Sequence, residues 1–211
     1  FCTIWNRLRE SLQTKLNNYV MRFSQTMAVK EFEQRIGSNA SIVYYANSMA
    51  IRLSALYSGA YRYCNRGLNG IEGSLSVAAG AAAAVAATGS KENIYCIIGD
   101  LSFFYDRNGL WNNYVKGGEL PDGGHLHLSV LLLNNGGGRI FRNIPGMERT
   151  PYRDTMVSGK HSTSAEGVAV ESGCAYRPVY AEDISDEHIK WLMSEWAEED
   201  KCVRILEIKK R

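Results

Sequence analysis

Asp100 and Asn135 are the residues whose types and spacing speak most directly of chemistry. Asp100 closes the apolar run Ile94 to Ile98 within Gly99-Asp100-Leu101-Ser102, and Asn135 follows the apolar run Leu128 to Leu133 within Asn134-Asn135-Gly136-Gly137-Gly138. A carboxylate, a side-chain amide and open backbone carbonyls are hard oxygen donors of the kind magnesium takes, commonly sharing its shell with phosphate oxygens and water. Each half also has an ordinary reading, because Asp, Asn and Gly are common in turns that follow strands. If the two runs are neighbouring parallel strands, both groups lie at the carboxyl end of the sheet, where open α/β folds bind their ligands.

The rest of the sequence supplies such a sheet. Ile94 to Ile98 and Leu128 to Leu133 are almost wholly apolar, as expected of strands covered on both faces. Short β-rich runs at Ser41 to Ala46 and Tyr61 to Cys64, and an alternating one at Cys202 to Ile208, add further strands. Helical patterns fall between them: Ala28 to Ile36, stopped by Gly37 in the left-handed region; a helix to Tyr57 capped by Asn47 or Ser48; the small-residue run Ser74 to Thr88; and Asp186 to Glu199. Strands alternating with helices predict an α/β fold, a doubly wound and mostly parallel sheet with helices on both faces. Residues 1–22 carry Ile4, Trp5, Leu8, Leu12, Leu16 and Tyr19 near helical spacing and read as a helical connector from an upstream domain, leaving 23–211 as the domain proper.

Composition excludes several classes. The formal net charge is +2 over 211 residues with Lys and Arg spread along the chain, which marks neither a nucleic-acid nor a membrane-surface protein. The run Ala78 to Ala87 is about half the length of a membrane span. Five cysteines without a CxxC or framework spacing, several inside apolar runs, predict a reducing, cytoplasmic setting. Gly67, Gly70 and Gly73 do not make GxGxxG, and Gly89-Ser90-Lys91 lacks the glycine of a P-loop. His125 and His127 could share a strand face, but they lie in a long glycine-rich connection and read as loop residues rather than metal ligands. His161, in Gly159-Lys160-His161-Ser162, reads as structural, and Glu195, Glu198, Glu199 and Asp200 as a solvated helix end.

Three segments taken together carry a resemblance. They are Asn65-Arg66-Gly67-Leu68-Asn69-Gly70-Ile71-Glu72-Gly73, the stretch Gly99 to Leu110 with its Asp106-Arg107-Asn108-Gly109-Leu110 tail, and Asn134 to Phe141. Over about residues 25–211 the chain resembles the carboxy-terminal, diphosphate-binding domain of 2-succinyl-5-enolpyruvyl-6-hydroxy-3-cyclohexene-1-carboxylate synthases. The glycine-rich stretch Lys116 to His125 departs from the family by lengthening the connection between Asp100 and Asn135, and reads as a surface loop.

The resemblance implies thiamin diphosphate with Mg²⁺ (or Mn²⁺) as cofactors. It makes Asp100, Asn135 and the Gly137 carbonyl the metal ligands, and Leu101, Ser102 and Gly137 neighbours of the diphosphate. Ile71 would support the bent cofactor, although core filling explains that residue equally. Ser48, Arg52, Arg66 and Phe141 would meet substrate, the arginines suiting carboxylates; a solvated helix position is the alternative for Arg52 and core packing for Phe141. The implied activity is decarboxylation of 2-oxoglutarate and addition to isochorismate in menaquinone biosynthesis, by a homodimer or homotetramer. The glutamate that activates the cofactor would lie in an amino-terminal domain outside these residues, so the chain alone is expected to be inactive. Another thiamin-dependent decarboxylase or carboligase, or a non-catalytic magnesium–diphosphate module, is the alternative.

Overall fold

The structure is a computed structural model that describes residues 2–19, 24–37, 41–67, 70–90, 92–116, 120, 124–197 and 202–210. Six strands form one sheet: β1 (Val43–Tyr45), β2 (Tyr63–Cys64), β3 (Ile94–Gly99), β4 (Leu128–Asn134), β5 (Ala175–Tyr180) and β6 (Val203–Lys209). Their order is β2-β1-β3-β4-β6-β5, and every pairing is parallel. The helices are α1 (Cys2–Asn18), α2 (Gln25–Ile36), α3 (Met49–Tyr57), α4 (Ser74–Ala86), α5 (Asp100–Tyr105), α6 (Glu166–Glu171) and α7 (Asp186–Met193).

Alternation along the central strands sends their side chains into two separate cores. Ile94, Cys96 and Ile98 of β3 join Leu128, Val130 and Leu132 of β4 under the alanine face of α4 and Val168 and Ala169 of α6. Tyr95 and Ile97, with Leu131 and Leu133, face the opposite way onto Phe32 of α2, Leu53 of α3 and Leu192 of α7. With apolar groups needed on both faces, β3 and β4 have no room for an alternating polar pattern, and the doubly wound architecture follows.

The order also has a switch point. From β1 the chain goes outward to β2 and then returns to lay β3 on the other side of β1. Connections above β1 and β3 therefore diverge and leave a crevice at their carboxyl ends. Gly99 pairs in register with Leu133, so the residues just beyond, Asp100 and Asn134–Asn135, emerge together at that end.

Local elements depart from the sequence expectations in instructive ways. Helix α7 stops at Met193 rather than Glu199, because Arg204 of β6 donates to the carbonyls of Ser194 (2.7 Å) and Glu195 (3.0 Å) and draws the chain off the helical path. Neither Asn47 nor Ser48 caps α3 with its side chain. Gly37 ends α2 at φ 55° and ψ −136°, outside the left-handed helical region expected of it. Strand β5, absent from the sequence reading, completes the sheet at its far edge. Most of the inserted stretch Lys116 to His125 and the acidic residues 198–200 lie outside the described residues.

Candidate metal and diphosphate site

Asp100 opens α5 directly after β3 and is 3% exposed. Its Oδ2 accepts the backbone N–H groups of Asn135 (3.1 Å), Gly136 (2.8 Å) and Gly137 (2.9 Å), and its Oδ1 accepts that of Leu101 (2.8 Å). The glycines are required here. Gly136 and Gly137 have φ of 78° and 138°, and a Cβ on them would lie 2.9 Å from the His161 carbonyl and 2.7 Å from that of Ser158. The loop after β4 thus wraps a single carboxylate oxygen, an anion-binding arrangement of successive N–H groups.

Asn135 is fixed by what its amide nitrogen does. Nδ2 donates to Gln25 Oε1 at 3.5 Å, which leaves Oδ1 buried with no hydrogen-bond partner. A buried, unmatched amide oxygen is costly unless something else meets it. The orphaned Asn135 oxygen and the Asp100 carboxylate meet at this loop and are hard-oxygen donors of the type Mg²⁺ takes, while the Gly137 carbonyl accepts the Arg139 N–H (2.9 Å). Beneath them, Asn134 donates through Nδ2 to Glu207 Oε1 (2.6 Å) and to the Thr163 carbonyl (2.8 Å). Glu207 is fully buried on β6 and also accepts from Ser164 (3.1 Å), the Ala165 N–H (3.2 Å) and the Tyr176 hydroxyl.

A cavity of about 560 Å³ opens over this loop at the β1–β3 switch point. The structure brings Ser48, Ile71, Asp100, Leu101, Ser102, Asn135, Gly137 and Phe141 to its walls. It does not bring Arg52 or Arg66 there: Arg52 is exposed and donates to the Ser48 carbonyl (2.7 Å), and Arg66 is exposed on the loop after β2. The Leu101 N–H, expected to face a diphosphate, is instead committed to Asp100 Oδ1. Among the described residues no group of three or more His, Cys, Asp or Glu side chains is placed to hold a metal. His127 stacks on Trp196 at 4.8 Å and 6°, and His125 is exposed.

Sequence reasoning missed three supports of the site. Asn47 ties β1 to the loop before Ile71 by donating to the carbonyls of Asn65 (2.8 Å) and Gly70 (2.6 Å). Its only signal was its position beside Ser48. Glu207 looked like one polar residue in an alternating strand. His161 stands with Nε2 3.3 Å from Asp100 Oδ2, a proximity that no sequence spacing encodes.

Comparison with known proteins finds relatives. A 2-succinyl-5-enolpyruvyl-6-hydroxy-3-cyclohexene-1-carboxylate synthase of Bacteroides fragilis is 42% identical over 171 residues, 80% of this chain and 28% of that protein. The synthase of that name from Christiangramia forsetii is 34% identical over 189 residues, 88% of this chain and 30% of its own length. The chain is related to a part of these synthases. It spans between a quarter and a third of the length of these relatives. No protein-family model matches it.

Solved structures show the same fold. A benzoylformate decarboxylase from Polynucleobacter necessarius superposes over 90% of this chain and 33% of its own with a TM-score of 0.69 at 15% identity. A thiamine diphosphate-dependent 4-hydroxybenzoylformate decarboxylase from Rhodococcus jostii covers 92% of this chain and 34% of its own, with a TM-score of 0.62 at 16% identity. The fold is therefore shared with proteins whose sequences have diverged almost completely.

Proposed function

We propose that this chain is the magnesium- and diphosphate-holding part of a thiamin diphosphate-dependent synthase that joins the carbon skeleton left by decarboxylation of 2-oxoglutarate to isochorismate, in menaquinone biosynthesis. The observation that carries the reading is the buried, partnerless Oδ1 of Asn135 beside the Asp100 carboxylate, at the switch point of a chain related to such synthases. Asp100, Asn135 and the Gly137 carbonyl hold Mg²⁺ (or Mn²⁺), and the cation offsets the diphosphate charge. Ile71 packs under the cofactor, and Leu101 and Ser102 line the diphosphate end. When bound, thiamin diphosphate supplies the electron sink for decarboxylation and carbon–carbon bond formation.

Ser48 and Phe141 face the substrate end of the cavity. Arg52 and Arg66 stand outside the walls and reach substrate carboxylates from the rim, where guanidinium groups bind such anions bidentately. Arg139 lines the first cavity and also a second one of about 540 Å³ that shares the Asn135–Gly137 loop, where Lys160 and Lys209 outnumber Asp154, a positive balance that suits substrates bearing several carboxylates. The activating glutamate belongs to another domain, and the active protein is a cytoplasmic homodimer or homotetramer. Helix α1 is the connector to the upstream part. Among the described residues no helix is long and apolar enough to cross a membrane.

Calorimetric titration of the complete protein with thiamin diphosphate, with and without Mg²⁺, tests the reading. Asp100→Ala removes the magnesium-dependent part of the affinity. Asn135→Ala weakens it less, because an amide contributes a dipole where a carboxylate contributes a full charge. Unchanged affinity in the Asp100 variant overturns the assignment. The 211 residues alone consume neither 2-oxoglutarate nor isochorismate, since the proton-transfer partner, typically worth about 10²–10⁴-fold, is absent from them.

A further inference from the structure

The segment from Ser158 to Thr163 lies along the metal loop and is bonded to it at three points. Gly138 N–H donates to the Ser158 carbonyl (2.6 Å), His161 N–H to the Gly136 carbonyl (3.1 Å), and Asn134 Nδ2 to the Thr163 carbonyl (2.8 Å). These bonds fix where the His161 side chain starts. Its ring is then turned by two further contacts. Thr163 N–H donates to Nδ1 at 3.1 Å, and the ring meets Phe104 edge-on at 5.4 Å between centroids. Because Nδ1 accepts, the proton of the neutral imidazole sits on Nε2. That Nε2 is buried, makes no hydrogen bond, and lies 3.3 Å from Asp100 Oδ2.

We propose that His161 is a positioning residue for the metal site, its Nε2–H orienting the Asp100 carboxylate while its backbone holds the glycine loop that carries Asn135 and Gly137. The inference rests on the magnesium–diphosphate reading above. His161 meets both ligand-bearing segments, its ring standing beside Asp100 at the end of β3 and its backbone N–H bonded to Gly136 after β4. A neutral N–H suits the task better than a lysine or arginine would. It orients a carboxylate without cancelling the negative charge the cation needs. Outer groups that orient metal ligands typically govern metal affinity by about 10–100-fold.

The complete protein is titrated with Mn²⁺ in the presence of thiamin diphosphate, and free Mn²⁺ is followed by its electron paramagnetic resonance signal. His161→Phe keeps the ring against Phe104 but removes the donor, and the Mn²⁺ dissociation constant is expected to rise about 10-fold or more. His161→Gln, whose amide N–H reaches a similar position, restores most of the affinity. The thermal midpoint of the metal-free protein stays close to that of the unsubstituted one in the Gln variant. Equal affinity in the Phe variant and the unsubstituted protein overturns the inference, as does rescue by Phe but not by Gln, which would show that ring packing was all His161 supplied. Loss of binding in Asp100→Ala with no change in His161→Phe sinks this inference alone. Cofactor-independent Mn²⁺ uptake that survives Asp100→Ala sinks the metal reading and this one with it.

Discussion

Ser48 shows how a single residue is set for a task other than stability. It lies between β1 and α3 with φ 73° and ψ −130°, the one positive φ outside glycine among the described residues. A non-glycine residue held there costs about 1–3 kcal/mol, and such strain persists where the surroundings over-determine it. Its carbonyl accepts from Arg52 and the residue borders the cavity, so the unusual backbone presents Ser48 to the site at the expense of capping α3. Ser48→Gly is expected to raise stability by about 1 kcal/mol through relief of that strain. A urea transition moving to higher midpoint with unchanged slope is the expected readout; a lower midpoint would show that the hydroxyl matters more to folding than the backbone does.

At the scale of elements, the loop after β4 is held from below by β6 and from the side by residues 158–163. Glu207 gathers Asn134, Ser164, Ala165 and Tyr176 around one buried carboxylate, joining the loop after β4, the start of α6 and β5. Glu207→Ala would leave several buried donors unmatched at about 1–3 kcal/mol each, so a loss on the order of 3 kcal/mol or more is expected. Hydrogen exchange at the Asn135, Gly136 and Gly137 amides should accelerate in the same variant, and unchanged protection there would show that Glu207 does not brace the loop. Glu207→Gln keeps the volume and part of the network and should cost less. Strand β5 escaped the sequence reading for a related reason. It is an edge strand with Pro178 in its middle and Val179 as its one buried side chain, so neither alternation nor an apolar run announces it.

Across the whole molecule, the buried thiol and tyrosines that shift do so on the alkaline side. Burial pushes the Cys96 thiol from 9.0 up to about 12, and burial also raises Tyr45, Tyr95 and Tyr176 above the ordinary tyrosine value of 10.0. Glu33 beside Tyr45 and Glu207 beside Tyr176 add to the effect by opposing a phenolate. Each group keeps its proton longer folded than unfolded, so above about pH 9 the unfolded chain binds fewer protons than the native one. Stability is therefore fully present below pH 9 and is lost as pH rises towards 12. Denaturant midpoints measured from pH 7 to 11 should fall steadily above 9, and the gap between Cys96→Ala and the unsubstituted protein should narrow over that range. A gap that stays constant would show that Cys96 is not a source of the alkaline loss.

The amino-acid sequence by itself determined the two buried strands, the residues that end them, and the family resemblance. Continuous apolar runs can only be satisfied with cover on both faces, and Asp100 and Asn135 follow those runs directly in the chain. Hence the parallel α/β sheet and the meeting of the two residues were legible before any coordinates. Tertiary structure decided what spacing cannot encode. His161, Glu207 and Gln25 reach the site from segments 26 to 110 positions from Asp100 or Asn135, and Arg52 and Arg66 fall outside the cavity walls that their residue type suggested. Side-chain direction depends on which helix packs on which face, and α7 ends where Arg204, a neighbour only in the folded chain, claims the carbonyls just past it.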